Sequence, residues 1–173
     1  MKKARIFIAL LLVLPLCGCG LAKRNTPPTV ETVETWFQEN RADFLTIVDY
    51  CRRSEYELLY ISLNDVDDDT SLDDVLADVF ADFDRITIED SEVRSAIERL
   101  FSQKICYAIY KHGNEIQLLL WRGFIRDIGC GMLYTWLPNH LPSTQYMTER
   151  QPLSEAGWYY YIADYNEWRV RNP

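Results

Sequence analysis

Residues 106–122, Cys106-Tyr-Ala-Ile-Tyr-Lys-His112-Gly113-Asn114-Glu115-Ile-Gln-Leu-Leu-Leu-Trp-Arg122, decide the class of the fold. At this point the apolar period changes from helical to strand-like. Cys106 to Lys111 reads as a strand, His112-Gly113-Asn114 as a tight turn, and Glu115 to Arg122 as the returning strand. Downstream, Gly123, Gly129 and Gly131 punctuate the chain before a third strand, Met132 to Leu137. Pro138 to Ala156 carries three prolines and few apolar residues, so it reads as a long loop. Gly157 to Ala163 is a fourth strand, and Trp168 to Val170 is a candidate extension. On that strand Trp158 and Tyr160 should face one side and Tyr159 and Tyr161 the other.

Upstream of the hairpin the pattern is mainly helical. Val30, Val33, Phe37, Phe44, Val48 and Cys51 form one apolar stripe. A helix is therefore expected over 29–53, capped by Thr29 after Pro27-Pro28 and ending on Arg52-Arg53. Glu55 to Leu63 reads as a strand, followed by an acidic loop from Asn64 to Thr70. Leu72, Val75, Leu76, Val79, Phe80 and Phe83 then predict a helix over Ser71 to Phe83. Arg85 to Glu89 reads as a short strand. Asp90 or Ser91 caps a further helix to about Gln103, with Val93, Ala96, Ile97, Leu100 and Phe101 inward. The expected class is α+β, with N-terminal helices packed on a C-terminal antiparallel meander of four to five strands. With no internal repeat or second compositional boundary, residues 29–173 form one domain.

The N-terminus has a different character. Lys2, Lys3 and Arg5 precede an uncharged apolar run from Ile6 to Leu16. As a helix that run covers roughly 16 Å, too short for a hydrocarbon core of about 30 Å, so it reads as a signal peptide. Leu16-Cys17-Gly18-Cys19 resembles the lipobox of bacterial lipoproteins. The resemblance implies cleavage between Gly18 and Cys19 and a thioether-linked diacylglycerol on Cys19. It divides the chain into a signal peptide at 1–18, a lipidated tether at 19–28 and the domain at 29–173. Gly20, with no Asp beside the lipid, implies by analogy the outer membrane of a Gram-negative cell and a domain facing the periplasm. Ala22 to Pro28, fully extended, would reach about 25 Å from the membrane.

Charge narrows the partners. The chain has formal net charge −8, and losing residues 1–18 removes three cations. The acids concentrate in residues 64–92, where twelve Asp and Glu stand against the single cation Arg85. Such a field disfavours nucleic acid and suits a basic partner. Asp65, Asp67, Asp68 and Asp69 are the candidate partner-binding acidic loop. Read as a calcium loop, the same stretch lacks Gly at the sixth position in either register, so no metal and no cofactor is expected.

Three cysteines remain beyond the lipobox, Cys51, Cys106 and Cys130, with no Cys-x-x-Cys spacing. Either one bridge forms, with Cys106–Cys130 the preferred pair, or all three are buried thiols. His112 and His140 are the only histidines. They fall in a turn and a Pro-rich loop with no nucleophile signature around them, so no catalytic residue is expected.

Gly129-Cys130-Gly131-Met132-Leu133-Tyr134 and Pro152-Leu153 … Gly157-Trp158-Tyr159-Tyr160-Tyr161 resemble segments of small, uncharacterised lipoproteins of Gram-negative bacteria. That resemblance implies a fold neighbourhood and no activity. The functional expectation is a membrane-anchored, non-catalytic protein-binding module, for example an immunity-type inhibitor of a basic partner. The alternative is an envelope structural or assembly factor that recognises a polymer or a membrane protein. In either case the partners are the membrane, through the N-terminal lipid, and another envelope component.

Overall fold

The computed structural model describes residues 26–62, 79–123, 127–137, 139–143 and 146–165. Within them lie helices α1 (Val30–Glu39), α2 (Arg41–Arg53) and α3 (Ser91–Ser102). The strands are β1 (Leu58–Ser62), β2 (Val79–Ala81), β3 (Asp84–Arg85), β4 (Ala108–His112), β5 (Glu115–Arg122), β6 (Ile128–Thr135), β7 (Met147–Pro152) and β8 (Trp158–Asp164). They form one sheet in the order β3-β2-β1-β4-β5-β6-β8-β7, with every neighbouring pair antiparallel.

The chain is α+β overall but mostly β, and this corrects the expected meander of four to five strands. The sheet has eight strands, and three of them precede α3. The expected helix at 71–83 is contradicted where it can be seen: Val79–Ala81 is a strand. Val79 and Ala81 are buried while Phe80 is exposed, a period of two that the run Val79-Phe80 conceals. Residues 71–78 lie outside the described part. The expected loop at 138–156 contains β7, an edge strand whose polar Thr-Glu-Arg-Gln centre, exposed except for half-buried Arg150, and terminal Pro152 suit an edge and mimic a loop. The short strand expected at 85–89 is only Asp84–Arg85.

Two further corrections concern boundaries. The single helix expected over 29–53 is two, jointed at Asn40, whose φ of −117° and ψ of 20° leave the helical region. Its backbone N–H and its Nδ2 both donate to Trp36 O, closing α1. Strand β6 starts at Ile128 rather than Met132. Gly129 and Gly131 lie within it, and at Gly131 the neighbouring backbone comes very close: a Cβ there would stand 1.9 Å from Leu118 O.

The three described helices pack on one face of the sheet. Val33, Phe37, Phe44, Ile47, Ile97 and Leu100 from the helices meet Leu59, Ile61, Ile109, Ile116, Leu118 and Met132 from the strands in one core. Trp158 fills its centre, 4.7 Å from the Phe37 ring and 4.9 Å from that of Tyr134. Arg99 on α3 grips Asp43 on α2 through Nε and Nη2, tying these helices together at the surface. Thr29 and Asp90 cap α1 and α3 as expected. The alternation expected on β8 is observed: Trp158 and Tyr160 join the helix-side core, and Tyr159 and Tyr161 pack on the other side.

Candidate binding face

Register fixes which side chains share the face opposite the described helices. Phe80, Tyr60, Tyr110, Gln117, Leu133 and Tyr159 are successive cross-strand partners from β2 to β8, so they point the same way. Leu58, His112, Glu115 and Thr135 form the next row. The inward residues of β1 and β4, Leu59, Ile61 and Ile109, are fully committed to the core, which leaves their neighbours to face outward.

Two adjoining recesses cross this face and share Tyr110 and His112. The first, about 440 Å³, is apolar, with Leu58, Tyr60, Phe80, Phe83 and Tyr110 among its walls. Tyr60 and Tyr110 stack there with ring centroids 4.8 Å apart and planes inclined by 29°. Burial, followed by the neighbouring Tyr60, raises the Tyr110 hydroxyl far above the ordinary phenol range, so it stays a neutral donor and acceptor.

The second recess, about 350 Å³, is more polar and is lined by Tyr110, His112, Glu115, Gln117, Leu133, Ser143 and Tyr165. Its organiser is Glu115. The carboxylate lies 2.5 Å from His140 Nε2 and accepts from the Ser143 backbone N–H at 3.3 Å. Arg150 Nη1 donates to Pro142 O at 2.8 Å, holding the same segment from β7. Gln117 Nε2 donates to the hydroxyls of Tyr161, at 2.7 Å, and Tyr165, at 3.3 Å.

Of the two histidines, His140 contacts the Glu115 carboxylate, and His112, the cross-strand partner of Glu115, lines the same recess. The three inner cysteines are buried free thiols in the helix-side core, away from this recess. Burial pushes each of them up to about 12, the opposite of nucleophile activation. Among the described residues, no group of three His, Cys, Asp or Glu is placed to hold a metal ion.

The expected sites fare as follows. Cys19 and the acidic loop of Asp65, Asp67, Asp68 and Asp69 lie outside the described residues. The preferred disulfide is not formed: Cys106 and Cys130 are both free. Strand β5 runs between β4 and β6, so two strand spacings, about 9–10 Å, separate the two positions. A disulfide needs Cα atoms within about 7 Å. The Cys106 thiol instead donates to Ala108 O, and that of Cys130 lies 3.8 Å from Pro28 O. Sequence reasoning missed Tyr60, Phe80, Phe83, Tyr110 and Glu115. The available signal was the alternation itself, which puts Tyr60 and Tyr110 opposite to their committed neighbours.

Comparison of the chain with protein-family models, with curated proteins and with solved structures finds no match in any of the three.

Proposed function

We propose that the chain is a lipid-tethered, non-catalytic binding module that captures a basic protein partner on its open sheet face, as an immunity-type inhibitor does. One observation carries this reading. Among the described residues, the helices pack on one face of the sheet, while the other bears an apolar recess of about 440 Å³ with a stacked Tyr60–Tyr110 pair at its floor. Exposed aromatic area beside a few fixed polar groups is the ordinary make-up of an interface centre. The acidic balance of the chain selects a basic partner. The lipobox-like Leu16-Cys17-Gly18-Cys19 supports a lipid anchor on Cys19, and Gly20 after it, by analogy, supports the outer membrane with the domain in the periplasm.

The test is a photo-crosslinking amino acid placed at Tyr110 or, as a control, at the exposed helix-face residue Glu98. In intact envelopes, position 110 should yield a discrete adduct that fades as salt is raised, and position 98 should not. Equal yields from both positions, or none from 110, would reject the open face. Replacing Cys19 with Ala should abolish lipid labelling, and continued labelling would reject the anchor.

A further inference from the structure

The polar recess differs in chemistry from the apolar one beside it, and its walls define what it can hold. It measures about 350 Å³, the scale of a site for a small ligand. At its base lies Leu133, 1% exposed and packed with Tyr161 and Ala163 on this side of the sheet. The rings of Tyr110 and Tyr165 stand in its walls. His112, Glu115, Gln117 and Ser143 bring an imidazole, a carboxylate, an amide and a hydroxyl to the same volume.

These polar groups are held before any ligand arrives. Gln117 Nε2 donates to the hydroxyl of Tyr161, a fully buried residue, at 2.7 Å and to that of Tyr165 at 3.3 Å. The Tyr165 backbone N–H donates to Asp127 O at 2.8 Å, and its ring meets that of Tyr146 edge-on at 6.2 Å. The Glu115 carboxylate takes His140 Nε2 at 2.5 Å and the Ser143 N–H at 3.3 Å. Groups fixed in this way lose little freedom when a ligand binds.

The lining selects among ligand classes. Among the described lining residues there is no Lys or Arg, so a phosphate, sulfate or carboxylate would meet no permanent cation. The one carboxylate is already served by His140 and Ser143 of the chain itself, and a cationic ligand would have to displace them. A purely apolar ligand would strip water from the imidazole, carboxylate and amide and return no hydrogen bond. What fits is neutral, rich in hydroxyls, and carries an apolar C–H face to lie against tyrosine rings. A sugar ring combines these properties.

We propose that the polar recess is a subsite for one neutral saccharide unit, with the tyrosine rings against its C–H face and His112, Gln117 and Ser143 taking its hydroxyls. The inference goes beyond the protein partner proposed for this face and stands or falls separately from it.

The test uses the mature chain, residues 19–173 carrying Cys19→Ala, isotope-labelled for amide NMR. The probes are maltotriose and triacetylchitotriose, both neutral, with trigalacturonic acid and an uncharged Gly-Ser-Asn-Gly peptide as controls. At least one neutral sugar should shift the amide resonances of Glu115, Gln117, Leu133 and Ser143 saturably, with a Kd of about 1 mM or tighter. Those of Ile97 and Leu100 on α3 should not move. Added salt should leave the affinity unchanged, because no net charge is paired. His112→Ala and Ser143→Ala, both at exposed residues, should each weaken binding about fivefold, the loss of one hydrogen bond. Failure of both neutral sugars overturns the proposal, and so do equal shifts from the acidic sugar or from the peptide. Sugar binding undiminished by both substitutions places the sugar elsewhere and overturns the assignment. The Tyr110 crosslink reads the protein partner independently, so its loss with sugar binding intact removes that partner alone.

Discussion

Glu115 and His140, 25 residues apart, meet at 2.5 Å between Oε1 and Nε2. Through that contact, and the two bonds from the Ser143 N–H, the β4–β5 hairpin holds residues 139–143 over the polar recess. Glu115→Gln removes the charge and half of the acceptor capacity. Amide exchange in 139–143 is expected to accelerate severalfold, with the core strands unaffected. Unchanged exchange there would mean that Arg150, through Pro142 O, suffices alone.

The two glycines of β6 should answer differently to Ala. At Gly131 the new Cβ would meet the Leu118 carbonyl oxygen at 1.9 Å, backbone that cannot step aside. A loss of about 3 kcal/mol is expected. At Gly129 the nearest atoms are the ends of the Leu119 and Tyr165 side chains, at 2.9 and 3.1 Å, which can turn. There the loss should stay below about 1.5 kcal/mol. Urea denaturation of both variants decides it.

The buried thiols make a pH prediction. Cys51, Cys106 and Cys130 stand near 12 in the folded chain against an ordinary value of 9. Between those values the unfolded chain gives up thiol protons that the folded chain keeps, so stability falls as pH rises. The contribution is complete below about pH 9 and is lost by about 12. In residues 19–173 carrying Cys19→Ala, the native protein should leave a thiol reagent at pH 8 almost unreacted, and the denatured protein should expose all three remaining thiols. Rapid native labelling would contradict the burial.

Lys111 is 6% exposed and sends its ammonium to the carbonyls of Ser54 and Tyr56, just after α2. Lys111→Met fills the space but leaves those carbonyls without this donor. A destabilisation of about 1–3 kcal/mol is expected. A chemical melt as stable as the parent would show that solvent replaces the ammonium.

The sequence made plain those elements whose pattern is redundant. The β4–β5 hairpin is marked by alternation, by His112-Gly113-Asn114 and by two long apolar strands. Helix α3 is marked by its Asp90 cap and a continuous stripe. It concealed β2, whose three residues are too few for a period to declare itself beside Val75 and Leu76. It concealed β7, an edge strand with no buried face to write into its residues. The open face was legible only in part. Its aromatic residues come from β1, β2 and β4, and their meeting depends on β1 lying between β2 and β4, a topology no local pattern states. The Cys106–Cys130 pairing failed for the same reason, since two strand residues can be close in pattern yet have a whole strand between them.

The Tyr160 hydroxyl donates to Pro28 O at 2.9 Å. Tyr160 belongs to the helix side of the sheet, so the chain preceding α1 enters on the opposite side from Phe83 and the stacked tyrosines. In a chain lipidated at Cys19, a pull on the leash would end at this bond on β8, an interior strand, instead of peeling α1 from its cap. The domain would then hang by its back, with its aromatic face turned outward, and only the residues before Pro28 would act as a swivel. Cutting the Tyr160 bond with Phe would lengthen that swivel without touching either recess, changing how the face is aimed and leaving what it can hold the same.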